Sequence, residues 1–139
     1  MNVHGLFRTL AASASGMRAE RTRMDVISQN IANAEVTKGP DGEPYRRREV
    51  VFESVLDNAL ADSGAGVEVA GIETDPTPFP RVFRPGHPDA DADGYVRMPN
   101  VSLPMEMVDL IAASRAYEAN LAAMRSYRDM VQQGLQIGR

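Results

Sequence analysis

The chain has 139 residues, no cysteine and a formal charge of −4 at neutral pH. This length fits one domain with a modest core, and the absence of cysteine excludes disulfides, thiolate catalysis and cysteine metal sites. Residues 35–104 hold thirteen acidic and seven basic side chains, so the negative charge lies in the middle of the chain.

Neither a membrane span nor a secretory signal is expected. No apolar run approaches the ~20 residues of a membrane-spanning helix, so we expect no direct membrane insertion. The stretch 6–16 is too polar, and too interrupted by Arg8 and Gly16, to be the apolar core of a signal peptide. A role outside the cytoplasm would therefore require export by another machinery.

The first predicted element is a helix over residues 3 to about 34. Its apolar residues recur every seven positions and form one narrow stripe: Leu10, Met17, Met24 and Ile31. Gly5 and Gly16 each weaken such a helix by roughly 1 kcal/mol relative to alanine. Asn30 and Asn33 lie near its end, where side-chain amides bond free backbone carbonyl groups.

A turn and a strand follow the first helix. Residues 39–42 have the glycine and proline content of a tight turn, and residues 45–52 predict a strand. The arginines at the start of this strand are Arg46, Arg47 and Arg48. They are candidates for a nucleic-acid patch, but their acidic surroundings and the absence of interleaved aromatic residues favour pairing with neighbouring carboxylates. We therefore expect no nucleic-acid partner.

The rest of the middle predicts a small β-rich module. Residues 53–66 resemble a loop with a short helical turn, and strands are predicted at 66–72, 81–84 and 95–98. Prolines between residues 76 and 80 break the pattern by removing backbone donors. We expect a module of this size and proline content to be too small for an enzyme cleft.

An acidic turn in this module raises the question of a metal. Asp89, Asp91 and Asp93, followed by Gly94, match the first half of a calcium loop. The pattern requires a bidentate glutamate at its twelfth position, which here is Asn100. The sequence therefore favours a solvated acidic turn, with a calcium-binding extracytoplasmic interaction module as the alternative function.

His87 is the candidate for catalysis, and the sequence argues against that role. No nucleophile elbow accompanies it, and a histidine between prolines is typical of a hydrogen-bonding position in a turn. We predict no catalytic residue, no cofactor and no metal ligand, and therefore no enzyme.

The last predicted element is a helix in residues 104–139. Ser102 is a candidate N-cap, and Glu106 lies near the positive end of the helix. One apolar row recurs every seven residues: Leu110, Tyr117, Met124 and Val131. Met107 and Leu121 lie on the neighbouring row.

These elements predict an α+β fold with three parts, namely an N-terminal helical arm (1–35), a β-rich middle module (36–103) and a C-terminal helical arm (104–139). The two arms match in length and in the narrowness of their stripes. We interpret them as a coiled-coil-like pair; an ordinary helical hairpin closing a small core is the alternative.

Several blocks of the sequence resemble the bacterial flagellar axial protein family, which includes the rod and hook proteins. The resemblance rests on 15–17 (SGM), 30–33 (NIAN) and 114–120 (SRAYEAN), and the two asparagine blocks, 30–33 and 114–120, are shared across that family. Three further blocks, 87–90 (HPDA), 94–96 (GYV) and 98–101 (MPNV), resemble one rod member rather than its relatives. Val36 departs from the family pattern, which has a small polar residue there.

The resemblance implies a structural role in a helical assembly. It implies a place in the proximal rod of the flagellar basal body, in the periplasm, after passage through the flagellar type III export apparatus. The implied partners are further copies of the chain and the rod proteins FlgB, FlgF and FlgG, with the adaptor FliE and the MS ring nearby. The residues expected at the assembly interface lie on both arms: Leu10, Met17, Met24, Asn30, Ile31, Asn33, Leu110, Arg115, Tyr117, Asn120, Leu121 and Met124.

Overall fold

The structure is a computed structural model that describes residues 3–55 and 66–137. Its elements in chain order are α1 (Val3–Ala32), β1 (Arg48–Val55), β2 (Gly66–Thr74), β3 (Arg81–Phe83), β4 (Tyr95–Arg97) and α2 (Leu103–Ile137). The predicted α+β class, with a helix at each end and a small β-rich middle, is confirmed.

Helices α1 and α2 pack side by side in opposite directions. Near the end of α1, Asn30 bonds to Glu106 in the first turn of α2. Half-way along α1, a Cβ atom built on Gly16 would lie 3.0 Å from the amide nitrogen of Asn120. Glycine therefore permits a close approach of the two helices at this point. The packing gained by this approach offsets the low helix propensity of glycine.

Strands β1 and β2 form an antiparallel hairpin. Their register pairs Arg48 with Thr74 and Val55 with Gly66, with an irregularity between Val51 and Phe52. β1 begins at Arg48 and not at residue 45 as predicted. The side chains of Tyr45 and Arg47 bond to Asn30 and Glu106 on the helices, and that of Arg46 bonds to the backbone carbonyl groups of residues 75 and 77. The prediction of a loop for residues 53–55 is wrong, since they continue β1; the rest of that predicted loop, 56–65, lies outside the described residues.

The hairpin lies along α1, which the sequence analysis did not foresee. Ser15 on α1 accepts a hydrogen bond from the Val67 backbone N–H at 3.2 Å. Because α1 is covered by α2 on one side and by the hairpin on the other, its best-buried apolar side chains are Ala19, Val26 and Ile27. The predicted heptad stripe of α1 is only half-buried.

Strands β3 and β4 form a second two-stranded antiparallel sheet, which we call the ribbon. Its register pairs Arg81 with Arg97 and Phe83 with Tyr95, and both predicted strands are confirmed to within one residue. Gly94 has φ of 81°, a backbone conformation that glycine adopts without strain. Within the described ranges, neither helix is long and apolar enough to cross a membrane.

Candidate functional site

Asn30 is the centre of a buried set of polar side chains where the helices meet the middle of the chain. It is fully buried. Its amide group donates to the Arg48 carbonyl oxygen at 2.8 Å and to Glu106 Oε2 at 3.0 Å. Its oxygen accepts from the Arg48 backbone N–H and from the Tyr45 hydroxyl, each at 3.0 Å. Asn30 therefore pairs with Arg48 as a neighbouring strand would, and all of its hydrogen-bonding capacity is used.

Glu106 lies opposite Asn30, in the first turn of α2, and is 1% exposed. Its Oε1 accepts a hydrogen bond from Arg47 Nε at 2.6 Å. Burial of a carboxylate without partners would cost several kcal/mol. Because Arg47 and Asn30 each bond one oxygen, and the helix N-terminus favours negative charge, Glu106 can be buried here. We call Asn30, Tyr45, Arg47, Asn100 and Glu106 the polar junction.

Arg47 also faces three further carboxylates. Its guanidinium nitrogens lie 3.2 Å from Glu49, 3.6 Å from Asp109 and 3.8 Å from Asp75. Burial alone lowers the pKa of Arg47, but the hydrogen bond and charge of Glu106, together with Glu49, outweigh burial and raise that pKa above its ordinary value. The predicted pairing of this arginine with carboxylates is confirmed.

The two neighbouring arginines contact aromatic rings. The Arg46 guanidinium lies 4.3 Å from the centre of the Phe79 ring, and that of Arg48 lies 6.0 Å from the Tyr45 ring. Burial raises the pKa of Tyr45 although Arg48 opposes the rise, and the charge of Glu106 adds to it. The Tyr45 hydroxyl therefore stays protonated and donates a hydrogen bond to Asn30 Oδ1.

Asn100 joins the junction from the segment before α2. Its side-chain oxygen accepts a hydrogen bond from the Arg47 backbone N–H at 2.7 Å. This position was considered above only as the missing glutamate of a calcium loop. The bond joins positions 53 residues apart, so no local feature of the sequence indicates it.

Asp91 bonds within the acidic turn. Its Oδ1 accepts from the backbone N–H groups of Tyr95 at 2.8 Å and Asp93 at 3.1 Å, and its other oxygen pairs with Arg81. The bond from Tyr95 lowers the pKa of Asp91 against an opposing effect of burial, and Arg81 and Asp93 add to the lowering. The carboxylate that a calcium loop would need at its centre thus stabilises the turn.

Asp89 and His87, which flank the start of this turn, also bond inside the protein. Asp89 Oδ2 accepts from the Thr37 hydroxyl at 2.7 Å. His87 Nδ1 accepts from the Asp89 backbone N–H at 3.1 Å, which is the hydrogen-bonding position predicted for this histidine. In residues 3–55 and 66–137, no three Asp, Glu or His side chains converge as metal ligands.

The residues predicted for an assembly interface differ widely in exposure. Asn30 is fully buried in the polar junction, and Asn33 donates to the Gln29 carbonyl oxygen of its own helix at 2.7 Å. Arg115 is exposed. The remaining nine are half-buried: Leu10, Met17, Met24, Ile31, Leu110, Tyr117, Asn120, Leu121 and Met124. Their role in contacts with other subunits stays a prediction.

The structure brings three of these residues together at one end of the helix pair. Leu10 on α1 and Leu121 and Met124 on α2 line a surface groove, which Tyr127 and Val131 continue along α2. Asn120 is not part of this groove. It lies beside Gly16, which is about one and a half turns of α1 from Leu10. The groove and the polar junction lie at opposite ends of the pair.

A second apolar surface on α2 was missed by the sequence analysis. The sequence places Met107 on the row beside the apolar stripe, but its side chain is 54% exposed. Its exposed neighbours near the start of α2 are Leu103, Met105, Val108 and Ile111. They spread over about 200° of the helix circumference at 100° per residue, and we call these five residues together the outer row. The signal was present in the sequence, since residues 103–111 carry more apolar side chains than one narrow stripe can hold.

The comparisons with known proteins agree with this architecture. A family model described as flagella basal body rod protein matches residues 10–40, which cover most of α1 and the turn after it. A second, described as the C-terminal part of flagellar basal body rod FlgEFG proteins, matches residues 92–137, which cover β4 and α2. The matched segments therefore include most of α1 and all of α2.

Three relatives are each named flagellar basal-body rod protein FlgC. The protein of Borreliella burgdorferi is 42% identical, with 96% of this chain and 97% of the relative covered. That of Bacillus subtilis is 42% identical over 96% and 98%. That of Yersinia enterocolitica is 44% identical over 91% and 92%. The chain therefore belongs to the FlgC family of flagellar basal-body rod proteins, and it is a structural component of that rod.

Proposed function

We propose that this chain polymerises in the proximal rod, through the exposed faces of its helix pair, and transmits torque from the motor to the hook. In this proposal the helical arms make the contacts between subunits, and the middle module lies beside them. The proposed neighbours are further copies of the chain and FlgB, FlgF and FlgG, with FliE and the MS ring nearby.

The observation that carries the proposal is the apolar surface left open on the helices. The buried apolar core of the described residues consists of Ala19, Val26, Ile27, Val96 and Ala113. The outer row of α2, in contrast, is between 45% and 60% exposed. Patches of this kind are typical of surfaces that bind another protein.

The length of the helices supports the mechanical part of the proposal. Helix α2 has 35 residues, which corresponds to about 52 Å at 1.5 Å per residue. When helices of this length pack in parallel, their side-chain contacts repeat along the whole helix axis. Each contact is weak, but together the contacts make the tube of subunits stiff. A rod that transmits torque requires such stiffness.

The proposed route to the periplasm is the flagellar type III export apparatus. The lack of cysteine supports this route, because a chain without disulfides can pass a narrow channel unfolded. We propose no catalytic activity, since a rod subunit works by contact. The calcium-binding module is the weaker candidate, because Asp89 and Asp91 bond to neighbouring groups of the protein.

The test uses two charged substitutions and one matched control, expressed in a strain that lacks its own copy of the protein. Ile111→Asp lies on the outer row, Tyr117→Asp lies on the predicted stripe, and Ser126→Asp lies on an exposed polar position of the same helix. An unpaired charge buried in an apolar contact costs several kcal/mol, so both apolar positions should lose motility. Ser126→Asp should swim normally.

The readout is swimming together with mass spectrometry of purified hook–basal bodies. We expect the wild-type chain and Ser126→Asp to remain with salt-washed basal bodies, and the other two variants to be depleted. Ile111 is 53% exposed, so the purified Ile111→Asp chain should keep its helical circular dichroism. Full motility of both apolar variants would contradict the proposed contacts, and absence of the wild-type chain from basal bodies that contain FlgB and FlgG would contradict the proposed location.

A further inference from the structure

The ribbon is separate from the helix pair and the hairpin. In the described part of the chain, neither β3 nor β4 packs on a helix or on a hairpin strand. Its contacts are to the turn after α1, where Thr37 bonds to Asp89 and Glu43 lies 3.8 Å from Arg97. The orientation of the ribbon therefore depends on the segments that connect it to the rest of the protein.

Two of those segments cross at one point. Residues 75–80 lead into β3, and residues 98–102 lead from β4 to α2. At the crossing, the Asn100 amide group donates to the backbone carbonyl oxygens of Asp75 and Thr77, both at 3.2 Å. The segment that leaves the ribbon is thus bonded directly to the segment that enters it.

A third segment bonds to the same two carbonyl groups. Arg46 Nη1 donates to Asp75 O at 3.0 Å and to Thr77 O at 3.1 Å, and its guanidinium lies over the ring of Phe79. The two carbonyl groups converge because Asp75 Oδ1 accepts from the Thr77 backbone N–H at 2.8 Å and closes a tight turn. Asn100 also accepts from the Arg47 backbone N–H, so three segments meet at these two carbonyl groups.

We propose that Asn100 and Arg46 form a hinge clamp that holds the ribbon in one orientation relative to the helix pair and the hairpin. The clamp connects backbone segments by side-chain hydrogen bonds. No helix or hairpin strand of the described residues packs on the ribbon, although Val96 of β4 is itself buried. Loss of the clamp should therefore free the ribbon while leaving the helix pair and hairpin folded. All of its atoms belong to one chain, so the inference does not depend on assembly.

The test measures distances between spin labels by pulsed electron paramagnetic resonance on the full-length chain. The natural sequence has no cysteine, so introduced cysteines are the only labelling sites. Glu68→Cys with Ala92→Cys spans the hinge between hairpin and ribbon. Glu68→Cys with Glu118→Cys reports on the hairpin and α2 alone, and all three positions are exposed.

The critical variant is Asn100→Asp, which keeps size and the oxygen that accepts from Arg47. It replaces the two N–H donors by an oxygen that faces two carbonyl oxygens, so the clamp should open. Asn33→Asp is the matched control, because Asn33 donates only within its own helix. Arg46→Met removes the other donors of the clamp and keeps an unbranched side chain.

We expect the hinge-spanning distance distribution to be narrow in the wild type and in Asn33→Asp, and at least twice as wide in Asn100→Asp and Arg46→Met. The distance between the hairpin and α2 should stay unchanged in all of them. Wild-type width across the hinge in both clamp variants would overturn the proposal. Equal widening of both distances would also overturn it, since the residues would then hold the whole fold.

Discussion

The buried position of Asn30 leads to a quantitative prediction for Asn30→Ala. The substitution removes the partner of Glu106 Oε2, of the Arg48 N–H and carbonyl groups, and of the Tyr45 hydroxyl. These groups differ in their access to water. Glu106 is 1% exposed, whereas the tyrosine hydroxyl can turn to solvent and the Arg48 side chain is exposed.

The magnitude follows from that difference. A charged oxygen left unsatisfied in the interior costs about 2–3 kcal/mol, and each partly buried backbone group costs about 0.5–1 kcal/mol. Asn30→Ala should therefore lower the free energy of unfolding by about 3–5 kcal/mol. With a urea slope of about 2 kcal/mol/M, the midpoint should fall by about 1.5–2.5 M.

The assay is urea unfolding of the purified monomeric chain, followed by circular dichroism at 25 °C. Asn33→Ala is the matched control, because its side chain bonds only to Gln29 of the same helix and the bond is exposed. A surface substitution of this type changes the free energy of unfolding by no more than about 0.5 kcal/mol. If the two variants unfolded at the same urea concentration, Glu106 would have to find another partner and the account of the junction would be wrong.

Two further predictions concern pH and the approach of the helices. Hydrogen bonds from Thr77 lower the pKa of Asp75 below 3.8 against an opposing effect of burial, with Arg47 and Arg46 adding to the lowering. The unfolded chain then binds more protons than the folded chain as the pH falls. The stability that Asp75 contributes is complete above about pH 4 and should be lost as the pH falls from there towards the pKa of Asp75 in the folded chain. In this pH range, the urea midpoint of Asp75→Asn should therefore fall less steeply with decreasing pH than that of the wild type. Gly16→Val should destabilise by about 1–3 kcal/mol through its contact with Asn120. If Gly16→Val destabilised the Asn120→Ala variant as much as it destabilises the wild type, the contact with Asn120 would not be the cause.

The existence and limits of the helices were predictable from local features. Ser102 directly precedes α2, and its carbonyl oxygen accepts the first bond of the helix from the Glu106 N–H at 2.9 Å. The turn at 39–42 was equally local, since Gly42 has φ of 76° and bonds back to Gly39. Such features depend on residues a few positions apart, which a single sequence displays.

The polar junction was not predictable in the same way. Glu106 was recognised only as an acidic residue at a helix N-terminus, and Asn30 only as a residue at a helix C-terminus. Their bond joins positions 76 residues apart, and nothing in the local pattern of either indicates burial. The start of β1 was missed for the same reason, because it is set where Asn30 pairs with the backbone of Arg48.

The junction also fixes the register of the helix pair, which apolar stripes alone leave open. Because the stripes repeat every seven residues, a slide of one heptad, about 10.5 Å, would again bring apolar side chains together. That slide would move Asn30 from Glu106 to the position of Ala113, which offers no side-chain acceptor. An unpaired buried amide and an unpaired buried carboxylate would both result, at a cost of several kcal/mol. The polar residues thus select one register among those that the apolar residues permit, as a single buried polar position does in coiled coils.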